Sequence, residues 1–292
     1  MNSRAIVVLG MHRSGTSAVA RGVAALSVYL GDDFLDAQPE NPTGYWEDRG
    51  IVELNERMLR ALRLRWDDAA PIDRKALDGL RLWPLRRRAT RYVTRTFAGH
   101  ALWGFKDPRT LRLLPLWRRV LSASRTADAY VVVIRHPLSV AASLFARQAM
   151  ERESALQLWL AYMVPFLGEL RDRLWAVVDY DLLMQQPREQ LERIRDRLSL
   201  PQDAQVSREI DRFGEEFLDE GLRHTKFSPR DFDVRSDASR LTRDAYTLLY
   251  GLAADEAEPD GAFWQAWEPI EREEAKRAAR QGRKPWARKL SP

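Results

Sequence analysis

The sequence predicts an α/β fold of three layers, with a central, mainly parallel sheet and added C-terminal helices. Three observations predict it. Short continuous apolar runs, the first being Ala5–Leu9, have the length and composition of strands buried on both faces. Helical patterns separate these runs, so successive strands are joined by right-handed crossovers and lie parallel. After residue 180 the pattern is helical throughout.

In chain order, Ala5–Leu9 is a strand, a glycine-containing polar turn comes next, and Ala18–Leu26 is a helix. Gly31–Trp46 carries Asp32, Asp33, Pro39, Asn41, Pro42 and Gly44, a composition that forms turns rather than helix. A loop of that length beside the first helix is a place to look for function. Further strands are expected at Ala101–Phe105, Tyr130–Ile134 and Ala176–Asp179. Helices are expected near 48–63, 74–97, 110–122, 138–150 and 154–174, then near 187–198, 204–218, 240–254 and 262–280. One domain over 1–270, helical from about 185, and a basic tail over 271–292 are the economical division.

Composition narrows the function classes. With 45% hydrophobic and 30% charged residues in 292, the chain is neither disordered nor collagen-like. Zero cysteines exclude thiolate chemistry and Cys-ligated zinc. No apolar run approaches the roughly 18 residues of a membrane span. No signal-peptide pattern is read at the N-terminus, and a cytoplasmic location is the expectation. The net charge of +5 resides in the tail, where eight Lys/Arg face three Glu; the other 270 residues hold 39 of each sign. A neutral body argues against nucleic acid, while the tail could give weak attachment to an anionic membrane surface.

Gly10-Met-His-Arg-Ser-Gly-Thr-Ser17 lies between the first strand and the first helix. The spacing G-x-x-x-x-G is that of a P-loop, with Thr16 where a Walker A loop carries lysine and Arg13 as the cation instead. Backbone N–H groups and the helix N-terminus still make a phosphate pocket. Ser14, Gly15, Thr16 and Ser17 line it, and Arg13 adds a planar charged fork. Without the lysine that reaches a β/γ-phosphate pair, the loop suits a terminal phosphate group better than a nucleoside triphosphate. The overall expectation is a P-loop NTPase-like fold. A second element is Arg135-His-Pro-Leu-Ser-Val-Ala-Ala-Ser143. Arg135 closes a strand and so points into the crevice where parallel sheets bind ligands. With Ser143 on the following helix it could grip a second phosphate some distance from the first loop.

These two elements resemble the sulfotransferases that use 3′-phosphoadenosine 5′-phosphosulfate (PAPS). In that family [K/R]-S-G-T-[S/T] binds the 5′-phosphosulfate, and Arg13–Ser17 match it. A later Arg and Ser, eight residues apart at a strand–helix junction, bind the 3′-phosphate, and Arg135 with Ser143 match that. The resemblance runs from about residue 4 to 184 and includes Ala176–Leu183. It implies PAPS as co-substrate and no metal. In the vertebrate cytosolic branch the base is a histidine two residues after a strand-ending lysine; here Pro108 stands there. Lys106-Asp-Pro108 instead resembles the protein-tyrosine and other carboxylate-based members, whose base is a glutamate from the loop after the first helix. Glu47 is the best match, with Asp107 in reserve. Lys106 is one of only six lysines and would steady the bridging oxygen; Arg13 shares that charge. The job expected of Asp107, ahead of that of a base, is orienting Lys106 or Arg109 by an ion pair.

His12 and His136 lack ligand-spaced partners and read as packing or hydrogen-bonding residues. Arg223, His224, Arg230, Arg235 and Arg240 lie where a loop could fold over the nucleotide, or are simply solvated. The expected activity is sulfuryl transfer to an acceptor hydroxyl. A carbohydrate or glycoconjugate is favoured because Tyr45 and Trp46 could stack on a sugar face; a lipid-linked glycan, a natural product or a protein tyrosine stays open. The alternatives are a P-loop small-molecule kinase using ATP, and a non-catalytic nucleotide-binding module.

Overall fold

In the computed structural model, which describes residues 3–38, 44–218, 227, 231–232 and 237–282, the first apolar run becomes β1 (Ser3–Gly10). Loop 11–15 leads into α1 (Thr16–Ala25), and α2 (Arg49–Ala61), α3 (Arg74–Asp78) and α4 (Trp83–Thr96) precede β2 (Leu102–Lys106). Then come α5 (Arg109–Arg112), α6 (Leu114–Ala123), β3 (Thr126–Ile134), α7 (Pro137–Gln148), α8 (Arg152–Met163) and β4 (Leu174–Asp179). The helices α9 (Tyr180–Gln185), α10 (Pro187–Arg197), α11 (Ala204–Arg212), α12 (Asp237–Ala253) and α13 (Gly261–Gly282) complete the described chain.

The strands form one parallel sheet in the order β2-β1-β3-β4. β1 is central, and Ala5 to Leu9 are wholly buried. Its alternation serves two faces. Ala5, Val7 and Leu9 join the larger core with Trp117, Trp159 and Trp267; Ile6 and Val8 join the smaller one with Val19, Val23 and Leu191. The chain leaves β1 for β2 on one side and returns to β3 on the other. This reversal opens a crevice beyond the strand C-termini, where doubly wound sheets bind ligands. The loop after β1, Lys106, Arg135 and Asp179 all stand at those ends.

The structure divides four of the expected helices. The 74–97 helix breaks between α3 and α4 at Gly79, with Pro84 in the first turn of α4. The 110–122 helix breaks at Leu113, before Pro115. The 154–174 helix stops at Met163, short of Pro165, whose ring disfavours helix in the preceding residue. The 204–218 helix ends at Arg212 and widens into a π turn over Phe213–Phe217. At the far end, α13 runs through the expected boundary at 270 as far as Gly282. The tail beyond it, and Arg223, His224, Arg230 and Arg235, lie outside the described residues.

Asp179 fastens the end of β4 to α9 and α12. Its Oδ1 accepts from the backbone N–H groups of Asp181 (2.8 Å) and Leu182 (3.2 Å), and its Oδ2 from the Tyr246 hydroxyl (3.0 Å). Burial raises this carboxyl to about 6, with Asp181 adding to the rise. An unfolded aspartate titrates near 4, so between about 4 and 6 the folded chain holds a proton the unfolded chain has released. Stability contributed by this group therefore falls as pH rises through that window, by about 3 kcal/mol in total. Asp179→Asn keeps the acceptor for the helix cap and removes the titration. Its melting temperature should gain on that of the unsubstituted protein between pH 5 and 7.5; a constant difference would refute the assignment.

Candidate active site

The loop after β1 is tightly curled because Arg13 (φ 69°) and Gly15 (φ 82°) both take left-handed conformations. Gly15 has a second reason to be glycine: a Cβ there would lie 2.0 Å from Cδ2 of Tyr180. Ser14 is wholly buried, its N–H donates to the Met11 carbonyl (3.2 Å), and its hydroxyl has no hydrogen-bond partner among the described residues. A buried hydroxyl left open at a helix N-terminus fits an anion acceptor from a ligand. Thr16 is buried beside it, and Ser17 sends its hydroxyl to the Tyr45 carbonyl (3.1 Å).

Arg135 and Ser143 stand closer to this loop than the sequence led us to expect. Arg13 donates from Nε to the Ser143 hydroxyl (2.9 Å), and Arg135 reaches the Arg13 carbonyl (3.5 Å). The two sequence elements thus meet through Arg13. The Arg135 guanidinium lies 4.7 Å from the centre of the Tyr180 ring, whose edge covers Gly15. Tyr180 is a residue the sequence did not single out. The available signal was its place directly after the strand-ending Asp179.

Across the crevice, Lys106 at the end of β2 is 1% exposed. Its Nζ donates to Glu47 Oε1 at 2.6 Å and to the Ser17 hydroxyl at 3.2 Å. One ammonium therefore bridges the loop–helix junction after β1 and a carboxylate at the end of the long loop. Glu47 precedes α2, whose cap is Asp48 through the Ile51 N–H (2.9 Å), so Glu47 is not engaged as a helix cap. Burial raises the Glu47 carboxyl above the ordinary range; Lys106 opposes the rise, Asp107 adds to it, and Arg109, 3.8 Å from Oε2, opposes it.

Asp107 is engaged at both oxygens. Oδ1 takes the Arg109 N–H (3.0 Å) and guanidinium (2.8 Å), and Oδ2 takes the Asn55 amide (3.0 Å). Asn55, wholly buried and also missed in the sequence, donates to Thr110 (2.9 Å) and accepts from the Trp117 indole (2.6 Å). Its signal was only an asparagine on the apolar stripe of a helix. Asp107 thus holds Arg109 in place, and Glu47 is the carboxylate left facing the cations.

A model of the sulfotransferase family matches residues 5–204, from β1 to the first residue of α11. The chain belongs to the sulfotransferase family. It is an enzyme of sulfuryl transfer. Comparison with curated proteins found no match. Among solved structures, the sulfotransferase is similar to the sulfotransferase domain of the Synechococcus PCC 7002 olefin synthase, at 16% identity, 85% of this chain, 96% of that one and a TM-score of 0.46. It is also similar to sulfotransferase STF9 from Mycobacterium avium, at 14% identity, 95% and 77% coverage and a TM-score of 0.46. A third is retinol dehydratase in complex with androsterone and the inactive cofactor PAP, at 13% identity, 100% and 83% coverage and a TM-score of 0.37.

The other singled-out residues of the sulfotransferase sit around this centre. The His12 ring lies 4.5 Å from that of Trp66 and 5.8 Å from Tyr162. Burial and four nearby cations, Arg109 and Lys106 foremost, keep its imidazole well below the usual range and therefore neutral. His136 caps α7 by accepting from the Leu138 N–H (3.2 Å), against Phe232 and Tyr246. Trp46 packs on Phe34 (5.4 Å) and Phe217 (6.2 Å), with the Arg21 guanidinium 5.6 Å from its ring. These contacts engage the Trp46 indole with the protein. Arg240 pairs with Glu273 on α13. Among the described residues, no group of three His, Asp or Glu could hold a metal ion, and no helix is long and apolar enough to cross a membrane.

Proposed function

We propose that this sulfotransferase uses PAPS, with Glu47 as general base. The observation that supports the reading is the Lys106 bridge between Glu47 and Ser17, which brings a buried carboxylate and the loop after β1 to one cation. Arg13 to Ser17 would hold the 5′-phosphosulfate, with the open Ser14 hydroxyl among the donors. Arg135 and Ser143 would hold the 3′-phosphate. The acceptor oxygen attacks sulfur, its proton passes to a Glu47 oxygen, and the bond from sulfur to the 5′-phosphate oxygen breaks with its electron pair on that oxygen. Lys106 and Arg13 offset the charge that develops there. As Glu47 takes the proton its hold on Lys106 weakens, which frees the ammonium for the departing phosphate. The acceptor is a hydroxyl compound. A carbohydrate or glycoconjugate is kept as the favoured class, on the aromatic pair Tyr45 and Trp46 next to Glu47.

Calorimetric titration with adenosine 3′,5′-bisphosphate and with Mg-ATP tests the donor. The bisphosphate should bind without added Mg²⁺, and Arg135→Ala should weaken it by roughly 10–100-fold, the loss of a charge-assisted pair. Preference for Mg-ATP with indifference to Arg135 would overturn the reading in favour of a kinase.

A further inference from the structure

Helix α4 carries a charged surface to which none of the residues assigned to sulfuryl transfer belongs. From residue 79 to 106 there is no acidic side chain, while Arg81, Arg86, Arg87, Arg88, Arg91 and Arg95 all fall there. The helix sorts its residues cleanly. Ala89 and Val93 are buried, and Tyr92 donates to Asp48 Oδ1 (2.7 Å), so this side is tied to the start of α2. At 3.6 residues per turn, Trp83, Arg87, Arg88, Arg91 and Arg95 fall together within an arc of about 140° on the opposite side. All five are exposed. Among the described residues, no acidic side chain lies within ion-pairing distance of any of these four arginines.

Apolar groups stand at one end of the charged face. Leu80 is 91% exposed and Trp83 47% exposed. The Arg87 guanidinium lies 4.9 Å from the Trp83 ring centre, so indole and charge form one patch. An exposed leucine and tryptophan cost free energy in water without a partner. Unpaired arginines in one row repel each other and call for anions.

We propose that this face of α4 docks on an anionic membrane surface, with the arginines on lipid headgroups and Leu80 and Trp83 entering the boundary with the acyl chains. The apolar pair selects lipid over nucleic acid. A bilayer interface favours tryptophan and gives an aliphatic side chain somewhere to go, whereas Leu80 gains nothing on a phosphodiester backbone. Attachment expected of the C-terminal tail thus has a built surface elsewhere in the chain.

The test is co-sedimentation of the full chain with vesicles of phosphatidylcholine, with and without phosphatidylglycerol. Binding should require phosphatidylglycerol and fall steeply with added salt. Each arginine near such a surface is worth roughly fivefold in affinity, so Arg87→Gln/Arg88→Gln/Arg91→Gln together should lose on the order of a hundredfold. Leu80→Ser/Trp83→Ser should weaken binding most at high salt, where the apolar part dominates. Absence of binding by the unsubstituted protein would overturn the proposal, as would undiminished binding by the triple variant. So would a triple variant that loses affinity for RNA but not for vesicles. Adenosine 3′,5′-bisphosphate binding, which α4 does not serve, reports that each variant is folded.

Discussion

Glu47→Gln is expected to lower the rate of sulfuryl transfer by roughly 10²–10⁴-fold, the usual worth of a positioned general base. Glutamine keeps the volume and an oxygen for Lys106, so adenosine 3′,5′-bisphosphate should bind as before. The pH profile is the second readout. A base must be ionised to act, so the rate falls as pH falls through the carboxyl's own titration. Burial has raised that titration, and the acid limb of kcat/KM should therefore lie above the ordinary glutamate range. The variant should lack the limb altogether. An undiminished rate would show that the proton goes elsewhere; Asp107, whose two oxygens already accept three hydrogen bonds, would not be an easy substitute.

Lys106→Met should cost the reaction roughly 10²–10³-fold, since it removes a preorganised cation from the place where charge develops. It should also displace the pH profile. The ammonium 2.6 Å from Glu47 opposes the effect of burial, so without it the carboxyl rises further and the acid limb moves to higher pH. Both changes have one cause, which separates them from a loss of packing. A slower enzyme with an unmoved limb would confine Lys106 to the leaving group. An unmoved rate would remove it from the mechanism.

Much of this was legible from residue order. Apolar runs named the four strands, because a strand buried on both faces needs every side chain apolar. Arg13–Ser17 was readable because the groups that line such a loop are consecutive. Glu47 was named through the family resemblance, and Lys106 and Arg135 through their places at strand ends. Helix breaks were less legible: Leu113 and Met163 end helices only because Pro115 and Pro165 come after them, and the pattern of apolar spacing runs past both. Asn55 and Tyr180 escaped because neither belongs to a local pattern. An asparagine earns its place only when Asp107, Thr110 and Trp117 converge on it.

Residue order alone specified a parallel α/β chain with a glycine-containing loop after its first strand and charged groups at later strand ends. These are local properties, set by periodicity and by neighbours in the chain. Packing of distant segments is what joins Lys106 to Glu47 across 59 residues and Arg13 to Ser143 across 130. The strand order β2-β1-β3-β4 makes both meetings, because it places the ends of β2 and β3 on either side of the loop after β1. The same packing holds the Glu47 carboxylate away from water beside its cations, and that desolvation, which spacing in the sequence does not encode, makes an ordinary glutamate a candidate base.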